Sequence, residues 1–252
     1  MARGPVELQA IVERYAEGLA AVDTETIFLR ANQRTGEIYL PGLKTLSEKM
    51  AMDDLDKWWA HAYPNDFVTD TAHNVQVPFP GERRNTCDQV ITTTGQEDDP
   101  EWAIEAKYLQ LVGDNGKRND FAVAKAISPY LKDRSLYHDV IKLRQNPIAR
   151  RLAVIGFSFT YDQSTCANAL SLHPDQADRI EQILNVCLQN DGDLSVRPLV
   201  EFADGIFRVR ELVEGPYCRA NFEAWRHPCG GRGVVFGWEV RKEGHRISNT
   251  NW

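Results

Sequence analysis

Residues 152–160, LAVIGFSFT, are almost uninterruptedly apolar. A strand of that texture offers no face to water, so it belongs inside a sheet that is covered on both sides. A chain built around it needs flanking strands and two outer layers of helix. The remaining sequence supplies both. Val6, Ile11, Tyr15, Leu19 and Val22 recur at helical spacing over residues 6–22. Residues 43–61 read as a second helix, with Leu46, Met50, Leu55 and Trp58 or Trp59 turned inward.

Strand-like texture then takes over. HNVQVPF (73–79), NTCDQVITTT (85–94) and WAIEAKYLQLV (102–112) are rich in β-branched or alternating apolar residues. Asn115-Gly116 marks a tight turn, and FAVAKAISPYL predicts a helix that breaks near Pro129. A further helix over 135–145 carries Leu136, Val140, Ile141 and Leu143. Pro174 is placed to open another, with Ile180, Ile183, Leu184, Cys187 and Leu188 in register. From Val196 onward the pattern predicts short extended pieces (RPLVEFA, IFRVREL, VVFGWEV) between glycine-rich turns. The expected fold is α/β, a mixed central sheet flanked by helices over 44–189. Residues 1–43 form a helical addition and 190–252 a C-terminal extension of short strands.

Composition narrows the function. No run of eighteen apolar residues exists, and the N-terminal stretch MARGPVELQAIVERYAEGL carries acids where a signal peptide would be apolar. A cytoplasmic protein with no membrane partner is expected. The five cysteines are odd in number and scattered, which suits buried thiols rather than disulfides. Cys218, His227 and Cys229 lack the paired spacing of a zinc site. The net charge of −7 is unevenly spread. Residues 107–151 hold ten Lys/Arg against four Asp/Glu, and residues 205–252 hold eight against five. Two basic segments on an acidic chain fit one face suited to phosphates.

The chemistry concentrates in WAIEAK. Side chains alternate along a strand, so Glu105 and Lys107 share one side and Ile104 and Ala106 the other. Charges in an apolar strand are costly unless they pair or bind something. Asp88, in CDQVI, is a second such carboxylate, and if the two strands are neighbours it can stand beside Glu105. Close carboxylates repel, and a hard divalent cation relieves the repulsion.

Asp88 followed by Glu105-Ala106-Lys107 in an apolar strand resembles the PD-(D/E)xK nuclease superfamily, closest in style to type II restriction endonucleases. Cys87, rather than Pro, precedes Asp88. The resemblance implies a restriction-endonuclease-like αβββαβ core over 44–189. It also implies Mg²⁺ (or Mn²⁺ in its place) held by Asp88, Glu105 and the Ala106 carbonyl, with Lys107 as a catalytic partner. The superfamily often adds an acid from the preceding helix, a role that falls to Glu48 here, with Glu13 as its rival.

DNA is the expected substrate and restriction or phage defence the expected setting, alongside a methyltransferase or other defence partner. Repair, recombination or RNA cleavage are alternatives on the same chemistry, as is a catalytically silent nucleic-acid-binding subunit. Cutting two strands from a one-site chain suggests a homodimer. Phosphate contacts are expected from Lys117, Arg118 and Lys125, with Lys132 and Arg134 in the same basic segment, and base or backbone contacts from Arg226, Arg232, Arg241 and His245. NDGD (190–193) lacks the ligand ladder of a calcium loop, and GGRG (230–233) lacks the Lys-Ser/Thr of a phosphate loop.

Overall fold

The computed structural model describes residues 6–25, 31, 36, 38–64, 75–80, 86–92, 99–119, 125–128, 130 and 134–243. LAVIGFSF occupies the sheet interior, as its texture requires. The six-stranded sheet runs β1 (Val75–Pro78), β2 (Thr86–Ile91), β3 (Trp102–Tyr108), β4 (Arg151–Phe159), β8 (Gly231–Val240) and β7 (Val213–Ala224) from edge to edge. β3 and β4 are parallel, and the other neighbours are antiparallel. Two-residue strands β5 (Tyr161–Asp162) and β6 (Asp193–Leu194) pair separately.

Helices cover both faces. α1 (Leu8–Glu25) and α2 (Glu48–Ala62) lie on one. There the buried Tyr15 hydroxyl donates to Gln89 of β2 at 2.9 Å, and Gln89 donates in turn to Asp56 of α2 at 3.1 Å. Trp59 meets Tyr15 edge-on. α3 (Leu136–Gln145) and α6 (Arg197–Val209) cover the opposite face. α4 (Gln163–Leu172) and α5 (Ala177–Leu188) follow β5 and pack on each other. No described helix is long and apolar enough to cross a membrane.

Trp238 of β8 fixes α6 to its face. Its ring is fully buried, meets Phe207 of α6 at 5.2 Å, and donates from Nε1 to Asp204 at 2.9 Å. Trp238→Ala should remove about 3–5 kcal/mol of stability, read as a lower urea midpoint at unchanged slope.

Of the extended pieces expected beyond Val196, VVFGWEV lies in β8, whereas RPLVEFA and the start of IFRVREL are helix. RPLVEFADGIFRV is helix α6, because Val200, Ala203 and Phe207 form one buried stripe and Pro198 stands in the first turn, where its missing N–H costs nothing. Its β-branched and aromatic content imitated strand texture. Cys166 lies in α4, whose start is capped by Asp162 accepting from Thr165 N at 2.6 Å. Pro174 opens a single 3₁₀ turn, and α5 starts at Ala177. Residues beyond 189 and before 44 are not peripheral to the sheet: β8 pairs with β4 along seven positions, and α1 packs on β7 and β8.

A buried lysine sits apart from the sheet's centre. Lys44, in the 3₁₀ turn before α2, is 1% exposed and lies among the rings of Tyr108, Phe159 and Tyr161. Its ammonium donates to the Val112 carbonyl and to Tyr161 Oη, which donates onward to the Cys229 carbonyl at 2.9 Å.

Candidate active site

The site forms where β2 parts from β3. Gln89 pairs with Ile104, Val90 with Ala103 and Ile91 with Trp102, and the next step in this register sets Asp88 opposite Glu105. Directly opposed residues share a face. Beyond that step, backbone N–H groups of β3 are taken by carboxylates. Ala106 N donates to Asp88 Oδ2 at 2.9 Å, and Tyr108 N donates to Glu48 Oε2 at 2.8 Å. The strand edge thereby helps to fix two acids.

Glu48 reaches this edge because Ser47 caps α2, accepting from Met50 N at 3.3 Å, so that Glu48 is the helix's first residue. Its other oxygen accepts from Lys107 Nζ at 3.2 Å. On the sheet face, α3 adds two further charges. Asp139 Oδ2 stands 3.3 Å from Lys107 Nζ, and Lys142 Nζ stands 2.7 Å from Glu105 Oε1. Lys142 also donates to the Thr86 carbonyl and lies over the Phe79 ring.

Glu105 is 2% exposed, Asp139 6% and Lys107 8%, while Asp88, Glu48 and Lys142 are only partly buried. The result is a charge cluster whose interior is buried and whose rim reaches solvent. Burial, then Asp88 and Asp139, drives the Glu105 pKa well above the carboxylate range despite Lys142. Burial likewise pushes Asp139 up to about 6 against the pull of Lys107 and Lys142. Burial opposes the charge on Lys107, yet Asp139, Glu48 and Asp88 outweigh it and hold its pKa above the ordinary lysine value. Lys142 is raised too, burial being outweighed by Glu105 and Asp139.

Four carboxylates and two ammoniums thus share one cleft, an excess of two negative charges when all are ionised. Glu105 Oε1 and Asp139 Oδ2 are buried and face ammonium charge without a well-directed hydrogen bond. All the acidic donors are hard oxygens, with no thiolate or imidazole among them, which is the donor chemistry of Mg²⁺. Among the described residues no group of three or more acids, histidines or cysteines is already drawn together around one point. The residues fit a cation held by two carboxylates and water. Lys142 stands beside Glu105, where its ammonium compensates the carboxylate charge.

The structure therefore brings together Asp88, Glu105, Lys107 and Glu48, and places the Ala106 amide on Asp88. Glu13 is exposed on α1, over the other face of the sheet, and is bonded by Gln9. Lys117 and Arg118 are exposed on the loop that leaves the C-terminal end of β3. Arg232 begins β8 beside the end of β4, which is the same end of the sheet, and faces Ser164 at 3.3 Å. Lys125 is helical and partly buried, and Arg134 is exposed.

Arg226 is engaged in structure, its guanidinium on the carbonyls of Asp23 and Thr24. Arg241 pairs with Glu211 at the far end of β8. Lys132 and His245 lie outside the described residues.

Asp139 and Lys142 are the residues that sequence reasoning missed. The signal existed: Asp139 falls between Leu136 and Leu143 on the apolar stripe of its helix, where an ordinary acid has no reason to be. No protein-family model matches the chain, and no curated protein or solved structure was found to be similar to it.

Proposed function

We propose that the chain is a metal-dependent endonuclease of the PD-(D/E)xK kind, cleaving DNA phosphodiesters in a restriction or related defence role. One observation carries this reading: Asp88 accepts from the backbone N–H of Ala106, between Glu105 and Lys107, and the β2–β3 register continued one step brings it level with Glu105. The αβββαβ order of the superfamily has its counterpart in α2, β1, β2, β3, α3 and β4. Asp88, Glu105 and the Ala106 carbonyl would hold Mg²⁺, which when bound supplies an acidified water and neutralises charge on the scissile phosphate.

The chain's own residues do the rest. Lys107, kept protonated by Glu48 and Asp139, presents a fixed positive charge to the phosphate oxygens as negative charge grows there. Glu48, anchored on Tyr108 N and on Lys107, orients that ammonium rather than reacting. Asp139 does the same from α3. Lys142 balances Glu105 when the cleft is empty and is free to move to solvent at the rim. Lys117, Arg118 and Arg232, at one end of the sheet, supply backbone phosphate contacts that position the nucleic acid without reading it.

The test is cleavage of linear duplex, branched and single-stranded DNA, and of RNA, with Mg²⁺ or with EDTA. Duplex DNA is expected to be cut in Mg²⁺ alone. Asp88→Ala and Lys107→Ala should each slow cutting by about 100-fold or more. Undiminished cutting by either variant removes this cleft from the reaction. Preference for branched DNA or for RNA would move the protein to repair or RNA processing with the chemistry intact.

A further inference from the structure

The far side of the sheet carries a cavity of about 260 Å³ that the candidate active site does not use. It lies where β7 and β8 meet the start of α6 and the short β5–β6 ribbon. Its floor is apolar, made by Val234 and Phe236 of β8 with Val200 of α6. Gly156 explains why there is room. The Phe236 ring leans over that glycine, where a Cβ would come within 2.3 Å of it, and so leaves the space above β7 open. Tyr217, tilted against Trp238, adds an aromatic side wall.

Polar side chains close the cavity from opposite walls. Asp162 and Asp193 stand directly across from each other on the β5–β6 ribbon, and Arg219 and Asn221 rise from β7. Asp162 is occupied as the cap of α4, and Arg197 at the rim is held by Glu201. Asp193, Arg219 and Asn221 differ from these: their side chains make no hydrogen bond or ion pair with the described residues. An apolar floor, an acceptor on one wall and an unspent guanidinium on another fit a planar ligand with an amino group at one edge and an anion at the other. A nucleotide is such a ligand. Carboxylates accept from the exocyclic amines of bases, apolar and aromatic walls stack on base faces, and arginine takes phosphate.

The register ties this cavity to the charge cluster. Arg219 pairs with Phe236, Phe236 with Gly156 and Gly156 with Lys107, so the four positions form one row on one face of the sheet. Three strand spacings separate Arg219 from Lys107, about 14 Å, or roughly four nucleotides of stacked strand. We propose that the cavity binds one unpaired nucleotide, its base on Phe236 and Val234, its amino edge toward Asp193 and its phosphate on Arg219. The binding chemistry stands on the cavity alone; that the nucleotide belongs to a nucleic-acid strand rests on the nuclease reading.

In EDTA, calorimetric titration of the full chain with dCMP should give a Kd below about 1 mM, and TMP, which has no exocyclic amine, should bind about tenfold more weakly. Arg219→Ala should weaken dCMP binding about tenfold and leave deoxycytidine, which has no phosphate, unchanged. Asp193→Ala should erase the preference for dCMP over TMP. Both side chains are exposed, so neither change disturbs the core. A short duplex with one extra cytosine, compared with its fully paired form by fluorescence anisotropy, separates the sources. Tighter binding of the bulged duplex assigns the site to a strand, and equal binding assigns it to free nucleotide, the site standing in either case. Absence of dCMP binding overturns the proposal, as does undiminished binding by Arg219→Ala or equal affinity for TMP. Cleavage enters none of these readouts, so a chain that binds dCMP and cuts nothing loses the nuclease reading alone.

Discussion

Glu105→Gln is expected to lower Mg²⁺-dependent cleavage by about 100- to 1000-fold while leaving the protein at least as stable as its parent. The two effects have one cause. Glu105 is an ionisable group at the floor of the cleft, and its pKa is raised by burial and by Asp88 and Asp139. Between the ordinary glutamate value of 4.5 and that raised value, the folded protein holds a proton that the unfolded chain has released. Stability therefore increases as pH falls through this window and decreases as pH rises through it.

Glutamine removes the dependence, and the orphaned Lys142 ammonium is exposed enough to rehydrate. In thermal melts near neutral pH the variant should match or exceed the parent by up to a few degrees. Added Mg²⁺ should raise the parent's midpoint and leave the variant's unchanged, because only a folded state that binds the ion is stabilised by it. A variant that still responds to Mg²⁺ would place the ion elsewhere.

The second large effect belongs to Lys44. Complete burial lowers its pKa to about 7, against the partial opposition of Cys229 and Asp114. Here the folded value lies below the ordinary 10.5, so above about pH 7 the unfolded chain holds the extra proton. Stability contributed by this group thus rises with pH, by up to about 1.4 kcal/mol per unit. Urea unfolding at roughly pH 7 and pH 9 should differ by about 2 kcal/mol in the parent. Lys44→Met, similar in length and without the charge, should flatten that difference. Equal slopes for parent and variant would mean that the ammonium stays charged in its aromatic surroundings.

Much of the fold was legible because period and length agree over long stretches. LAVIGFSFT could be only a central strand, and VERYAEGLAAV only an amphipathic helix. The face shared by Glu105 and Lys107 followed from alternation alone. Pairing with Asp88 needed the β2–β3 register, which no single-strand pattern carries.

Asp139 and Lys142 stayed hidden because α3 meets β3 through tertiary packing, across more than thirty residues of sequence. Glu48 was visible as an acid near a helix start, yet its bond to Tyr108 N depends on where β2 ends. Helix α6 was misread because Val200, Phe202, Ile206, Phe207 and Val209 give it the β-branched and aromatic texture of short strands, although Val200, Ala203 and Phe207 keep helical spacing.

The long reach between α1 and the hairpin of β7 and β8 sets the order in which this molecule can mature. Helix α1 spans Leu8–Glu25, and the strands it covers span Val213–Ala224 and Gly231–Val240. Contacts so distant along the chain close slowly. On the ribosome, β4 waits with one hydrogen-bonding edge bare until β8 emerges, and α1 meets α2 and β2 before β7 and β8 complete the surface it covers. A nascent chain thus carries an open sheet edge beside the candidate site's strand until β8 arrives, and that edge is its aggregation hazard.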